Sequence, residues 1–399
     1  MEELAILGGR PVRETPLSYG KQYIDQDDVD AVTRTLTSPY LTCGPKITEL
    51  EQELCRITGA HYAVAVSNGT AALHLAAMAA GIGEGDEVIV SAITFAASAN
   101  CVRYCGGTPV FADIDPETYN ISPAAIRSLI TDRTKAVIAV DFTGQAVELD
   151  EIRCICAEHN LVLIEDGAHS IGTVYNGQPV GSIADMTCFS FHPVKTVTGG
   201  EGGAITTNDE GLYRKLSLFR THGITRTMEE MVHPTDAGWY NEQITLGYNY
   251  RMTDIQAALL ISQLNKLSLF SKRRKEIVAM YDEAFRDIPE IQVQKEIPES
   301  DTTRHLYILR LRTELLDCDR RQFFDALAAE NIRAQVHYLP VYWHSYYEKL
   351  GYARGLCPEA EAYYESSMSL PLYYALTDEE VQDVIRAVKK LIAYYKKNK

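Results

Sequence analysis

The sequence predicts an α/β protein, a three-layer α/β/α large domain followed by a smaller α+β domain, and three of its features predict it. Seven short runs rich in Val, Ile and Phe are almost unbroken by polar residues; segments with helical spacing separate them; and after residue 252 this alternation gives way to one long helical stretch followed by scattered strand-like and helical segments. Uniformly apolar strands belong in a largely parallel sheet covered on both faces, because one-sided burial would leave alternate positions polar.

The expected strands are Tyr62 to Ser67, Glu87 to Ile93, Pro109 to Ile114, Lys135 to Phe142, Leu161 to Asp166, Met186 to His192 and Gly203 to Thr207. Between them, Ile47, Leu50, Leu54 and Ile57 share one helical face, as do Ile152 and Cys156. Ser122-Pro123 reads as an N-cap followed by proline in the first turn. Thr253-Asp254-Ile255-Gln256 reads as a capping box opening one long helix that runs to about Phe285 and bridges the domains. Beyond it, Leu306 to Leu311 is an expected strand, Arg320 to Ala329 a helix, and Thr377-Asp378-Glu379-Glu380 a second capping box before the final helix. The predicted division is 1–252 for an N-terminal segment and the large domain, and 253–399 for the bridging helix and the small domain. No internal repeat or low-complexity segment interrupts this pattern.

With 399 residues, 46% hydrophobic and 23% charged, the chain is long enough for two cores. Its net charge of -16 argues against a nucleic-acid partner, since that affinity comes from Lys and Arg neutralising phosphates. The nine cysteines lack disulfide-framework spacing. Cys154-Ile155-Cys156 is not a CxxC pair and lies in a helical pattern, so no metal ligand is predicted. The start, Met1-Glu2-Glu3-Leu4, is acidic rather than basic, and no apolar run approaches the ~18 residues of a membrane span, so a cytoplasmic protein without a membrane partner is expected. The lysines from Lys389-Lys390 to Lys396-Lys397 read as closing the last helix in accord with its dipole.

Ligands of such sheets gather at the carboxyl ends of the strands, where Asp166, Ser190 and the loop after Ser67 fall. Ser67-Asn68-Gly69-Thr70-Ala71-Ala72 follows a strand and opens a helix, so backbone N–H groups and the Thr70 hydroxyl suit a phosphate, although a plain N-capped helix reads the same way. It does not match the GxxxxGK[ST] loop. Asp166 ends an apolar strand, and Lys195 precedes the glycine-rich run Gly199-Gly200-Glu201-Gly202-Gly203. Alone, the acid reads equally as a buried ion-pair partner and the lysine as a surface residue. Together and in this order they are what an enzyme needs to hold pyridoxal 5'-phosphate (PLP): an amine to form a Schiff base with the aldehyde, and a carboxylate to keep the pyridine nitrogen protonated.

Further segments complete a resemblance. Ser67-Asn68-Gly69-Thr70, Thr94-Phe95, Glu165-Asp166-Gly167-Ala168-His169-Ser170, Ser190-Phe191-His192-Pro193-Val194-Lys195, Gly202-Gly203 and Gly247-Tyr248-Asn249-Tyr250-Arg251-Met252 occur in an order similar to that of the DegT/DnrJ/EryC1/StrS sugar aminotransferases, of fold-type I among PLP enzymes. The resemblance implies that Lys195 forms the Schiff base and shuttles the proton, that Asp166 pairs with the pyridine nitrogen, and that His169 reaches the phenolic oxygen. It implies Phe95 on the ring, Gly69, Thr70 and Ser190 on the phosphate, and Asn249 reaching the partner's phosphate across a homodimer interface.

Ala334 to Tyr342, Phe219 to Gly223 and Ser369-Leu370-Pro371 resemble one branch of that family, which serves pseudaminic acid biosynthesis. That branch implies amino transfer from L-glutamate, through pyridoxamine phosphate, to C4 of a UDP-linked 4-keto-6-deoxy-N-acetylhexosamine. It implies substrate contacts from Tyr19, Tyr40, Leu41, Thr42, Gln335, Val336, His337 and Tyr338, and from Arg251 to the diphosphate or the donor's carboxylate. The alternative within the family is a dTDP- or GDP-keto-sugar aminated at C3 or C4. A PLP-dependent dehydratase would carry histidine in place of Lys195. A PLP-fold regulator would need a DNA-binding module, for which the first ~20 residues leave no room, and a less acidic chain. The segment Thr227 to Trp239 is read as a lid or interface loop, and His192 and His222 as ordinary packed histidines.

Overall fold

The computed structural model describes residues 2–397; Met1 of the acidic start, and Asn398 and Lys399 of the predicted second domain, lie outside the described residues. All seven expected strands form: β1 (Tyr62–Val66), β2 (Glu87–Ser91), β3 (Thr108–Ala112), β4 (Thr134–Val140), β5 (Val162–Asp166), β6 (Met186–Ser190) and β7 (Gly203–Thr207). They make one sheet, ordered β1-β7-β6-β5-β4-β2-β3. β7 runs antiparallel to both its neighbours, and every other pairing is parallel.

Successive side chains of a strand leave on opposite faces, and the two cores divide accordingly. Val64, Val88, Ile138, Ile164 and Cys188 enter one apolar cluster, whereas Ala63, Ile89, Val137, Leu163 and Phe189 enter another. α1 (Gln26–Leu36) packs on α8 (Asp254–Leu264), and the helices that cover the two clusters are α2 (Pro45–Thr58), α3 (Gly69–Ala79), α4 (Ala97–Tyr104), α5 (Pro123–Leu129), α6 (Leu149–His159), α7 (Glu210–Arg220) and α8. Leu75 of α3, Cys101 of α4 and Leu216 of α7 pack in the first cluster; Leu50 and Leu54 of α2, Ile152 of α6 and Leu260 of α8 pack in the second. α3 is buried almost all round, as its Ala- and Leu-rich sequence requires.

A third cluster joins α9 (Leu267–Phe285), α10 (Arg320–Ala329) and α13 (Asp378–Tyr395) to a small antiparallel sheet of β8 (Ile291–Gln292), β9 (Tyr307–Leu311) and β10 (Ser367–Leu370). Leu4 and Leu17 complete this cluster from the start of the chain, held there by the Ala5 and Val12 amides, which donate to the Glu330 carboxylate. Between α10 and α13, α11 (Ser345–Glu348) and α12 (Pro358–Ser366) send Tyr347 and Tyr363 back into the first cluster. Among the described residues no helix is long and apolar enough to cross a membrane.

The capping boxes at Thr253 and Thr377 and the cap at Ser122 form as expected. The single long helix to Phe285 does not: α8 stops at Leu264 and α9 begins at Leu267. Lys266 stands at the break, with its ammonium against Asp25 and 2.9 Å from Asp28. Asp28 is fully buried, so the break delivers a cation to an acid far away in sequence. The final lysines meet expectation in part, with Lys396 at the C-cap of a helix that starts acidic, but they are not simply solvated. α13 continues past Lys389 and Lys390 to Tyr395, Lys390 pairs with buried Glu330, and Lys396 at the cap reaches Glu290 at 2.6 Å.

Lys266→Met should cost roughly 3 kcal/mol, the low end for one partner of a buried pair, because Gln263 and the Asp25 amide still bond Asp28. Denaturant unfolding measures it, and a change below about 1 kcal/mol would show that the pair does not fix the helix break.

Candidate active site

The strand ends of the sheet border a cavity of about 700 Å³. Ten residues singled out from the sequence line it: Tyr19, Gly69, Thr70, Phe95, Asp166, His169, Ser190, Lys195, His337 and Tyr338. They arrive from four places: the start of the chain, the first turn of α3, the carboxyl ends of the strands with their following loops, and the segment after α10.

Strand alternation decides which acid faces the cavity. Glu165 leaves β5 on the opposite face, where it is fully buried and accepts a hydrogen bond from Thr187 at 2.7 Å. Asp166 turns to the cavity; its Oδ2 accepts from the Ser98 hydroxyl at 2.6 Å and its Oδ1 from the Ala168 amide at 3.2 Å. Thr94 lies 2.7 Å from the same Ser98 hydroxyl. Burial pushes the Asp166 carboxyl up, while Ser98, the Ala168 amide and Lys195 pull it back. Two donors thus fix its plane and leave lone pairs for a third, cationic donor.

Lys195 lies in the loop between β6 and β7. The loop is pinned at its base by Phe191 N to Gly202 O at 2.9 Å and Gly199 N to Phe191 O at 3.0 Å. Burial pulls its amine down to about 8, opposed by Asp166. At neutral pH this lysine therefore has an appreciable neutral fraction, which an ordinary surface lysine lacks.

His169 is buried beside it. Its Nε2 lies 3.4 Å from the Tyr338 hydroxyl, and its Nδ1 has no partner. The His305 ring packs against it with centroids 4.4 Å apart. Burial holds both imidazoles well below their ordinary value, and Lys195 adds to this at each. His337, bonded to the Ser369 hydroxyl at 2.7 Å, is pushed down to about 4 by burial and by Lys195. These rings are neutral hydrogen-bonding groups at physiological pH.

The amino end of α3 supplies the last part. Asn68 caps it by accepting from the Ala71 amide at 2.8 Å, and first-turn N–H groups have no acceptor within the helix. A Cβ on Gly69 would stand 2.8 Å from the Ser190 Cβ, so glycine is what lets the helix start approach the end of β6. The residues present fit PLP: an unpaired imidazole nitrogen, a carboxylate with free lone pairs, an amine near 8 and a helix start beside a strand-end hydroxyl share one cavity.

Seven residues assigned from the sequence are not on this cavity: Tyr40, Leu41, Thr42, Asn249, Arg251, Gln335 and Val336. The turn of Tyr40 to Thr42 docks on the start of α8, where the Asp254 amide donates to Leu41 O and Thr42 bridges Thr253. Asn249 is exposed and bridges Thr221. Gln335 pairs with Ser369 through both backbone groups and turns its side-chain oxygen to the Val336 amide. His192 and His222 are exposed rather than packed, and His192 lines the cavity. The Thr227 to Trp239 segment makes a short 3-10 turn, Met228–Glu230, and leaves Trp239 85% exposed. Ser98 and Tyr104 also line the cavity and were missed, and Thr94 and Tyr250, quoted within motifs but given no role, line it too; the four-residue spacing of Thr94 and Ser98 after β2 was the available signal for the hydroxyl pair.

Fold and cavity together define the site of a PLP-dependent transferase. Residues 22–389 match the DegT/DnrJ/EryC1/StrS aminotransferase family. The spore coat polysaccharide biosynthesis protein SpsC of Bacillus subtilis is 41% identical over 378 residues, 94% of this chain and 97% of that one. The UDP-4-amino-4,6-dideoxy-N-acetyl-beta-L-altrosamine transaminase of Campylobacter jejuni is 36% identical over 385 residues, 96% and 99% of the two chains. The solved structure of Helicobacter pylori PseC, an aminotransferase of pseudaminic acid biosynthesis, superposes with a TM-score of 0.89 at 32% identity, covering 96% of this chain and all of that one. The chain belongs to the DegT/DnrJ/EryC1/StrS aminotransferase family, and it is a sugar aminotransferase that uses PLP.

Histidines kept neutral in the folded protein and free to protonate at 6.5 when unfolded make acid favour unfolding. Glu165, pushed up to about 7 by burial, acts in the opposite sense. The test is therefore a difference: between about pH 7 and 5, His305→Phe should lose less Tm than the native protein. Equal slopes by calorimetry would show that His305 is not held neutral.

Proposed function

We propose that the chain moves the amino group of L-glutamate to C4 of a UDP-linked 4-keto-6-deoxy-N-acetylhexosamine, in the route to pseudaminic acid, and that it acts as a cytoplasmic homodimer. The observation that carries the chemistry is the placement of Lys195, drawn down to about 8, on one cavity with Asp166 and the start of α3. The choice of sugar is supported by the Campylobacter relative and by His337 and Tyr338 lining that same cavity.

Bound PLP would supply an electron sink beside the carbon that carries the transferred nitrogen. Lys195 would hold the cofactor's aldehyde carbon, and its amine, drawn down to about 8, is suited to taking a proton from one carbon and returning it to another. Asp166, oriented by Ser98 and Ala168, would accept the pyridine N–H and keep that nitrogen cationic. His169 would donate to the phenolic oxygen without adding charge. Phe95 would cover the ring, and Gly69, Thr70 and Ser190 would take the phosphate. Tyr19, His337 and Tyr338 position the sugar. Asn249 and the Tyr40 to Thr42 turn, off the cavity of their own chain, serve the cavity of a second copy.

Lys195→Ala should abolish turnover with little loss of stability, since a side chain facing a cavity contributes little packing. Asp166→Asn should slow amino transfer by about 100-fold or more, because an amide cannot hold the pyridine nitrogen charged. Retained native turnover in either variant, measured by coupled assay, would remove that residue's assignment.

Absorbance of the PLP-loaded protein follows both halves of the reaction. L-Glutamate should replace the long-wavelength band of the aldehyde form by the short-wavelength band of the amine form, and only the UDP-linked 4-keto sugar should restore it. Restoration by a dTDP- or GDP-linked sugar instead would reassign the acceptor.

A further inference from the structure

Lys195 also lines a second cavity, much smaller, of about 10 Å³. That is room for one water-sized particle. Two buried polar atoms among its lining residues have no hydrogen-bond partner, Arg274 Nε and Thr196 Oγ1, on side chains of residues 3% and 6% exposed. Arg274 lies on α9, and its Nη1 reaches only carbonyl oxygens: Arg304 at 3.4 Å, His305 at 3.2 Å and Leu372 at 3.1 Å. Among the described residues no carboxylate forms an ion pair with it.

Among the residues lining this cavity Lys21 and Arg274 are cationic and none is an acid, while the amine of Lys195, drawn down to about 8, is given over to the cofactor. Asp28 is reached only through Gln263, whose Nε2 donates to it at 2.7 Å, and it is already paired with Lys266. Burial draws the Arg274 guanidinium down to about 10, with no acid opposing the shift. Carbonyl dipoles offset part of the cost of burying this charge, and a water would occupy the free N–H, but neither supplies a counter-charge. The size of the cavity excludes phosphate, sulfate and any substrate carboxylate. Exposed Lys21 and Gln22 on its lining give a route from solvent.

We propose that this cavity is a halide site, holding one chloride between Arg274 Nε and Thr196 Oγ1. The ion balances a guanidinium that ties α9 to the carbonyls of Arg304, His305 and Leu372. Through His305, which packs on His169, it stiffens one wall of the active site.

The test uses the PLP-loaded protein. Tm is followed as sodium chloride replaces sodium gluconate at fixed ionic strength, and crystals grown in chloride are measured by long-wavelength anomalous diffraction. A saturating rise of Tm with chloride is expected, with an anomalous peak between Arg274 Nε and Thr196 Oγ1. Thr196→Val, which removes the hydroxyl and keeps the shape, should weaken the apparent chloride affinity about tenfold, the value of one hydrogen bond to a charged group. An anomalous map without that peak would overturn the proposal and leave water there. So would a chloride response that Thr196→Val leaves unchanged.

Discussion

Everything at the site depends on how closely one antiparallel strand approaches the start of a helix. β7 is wedged between β1 and β6, and its first residue, Gly203, pairs with Val66 on one side and Ser190 on the other. A Cβ on Gly203 would lie 2.4 Å from the carbonyl oxygen of Asn68, the cap of α3. Because glycine stands there, the helix start, the end of β6 and the base of the Lys195 loop converge on one point. Any side chain would lift α3 from the sheet and separate the phosphate-binding candidates from the lysine.

That convergence also shapes the electrostatics. The acids on the cavity are Asp166 and Glu201, against a lysine and three histidines. Desolvation makes this arrangement productive: the same burial that lowers Lys195 to about 8 and His337 to about 4 pushes the Asp166 carboxyl up. The site therefore offers the neutral imidazoles of His169 and His337 and a lysine of lowered basicity around a single oriented carboxylate. A cofactor that brings its own phosphate and its own pyridinium meets complementary partners at both ends.

What could be read from the sequence follows from what each feature depends on. The seven strands were legible because strands buried on both faces need no information beyond their own residues. The break between α8 and α9 was not, since nothing near Lys266 in sequence says that Asp28, on α1, is buried and needs a cation. That Asp166, Ser190, Lys195 and the start of α3 would gather on one cavity was legible because they sit at strand ends and the loops that follow them, where such folds collect ligands. Ser98 was missed because a lone serine in a helix carries no signal until Asp166 is placed 2.6 Å from it. His305 was missed for the same reason: its importance is the ring it touches.

The substrate side was half legible, and the reason is geometric. The segment from Ile332 to Val341 crosses from the third apolar cluster to the first. A chain spanning two cores must anchor itself on the way, and the residues that anchor it are not free to face the cavity. Gln335 is spent on the backbone pairing with Ser369. His337, held by the Ser369 hydroxyl, and Tyr338 reach the cavity, and the His337 carbonyl is tied by the Tyr363 hydroxyl at 2.8 Å. A motif read as one continuous substrate-binding stretch is thus divided by its own anchoring into residues that hold the segment and residues that face the cavity. Tyr40, Leu41 and Asn249 are of a third kind, since their surroundings are solvent and neighbouring backbone, away from the cavity of Lys195.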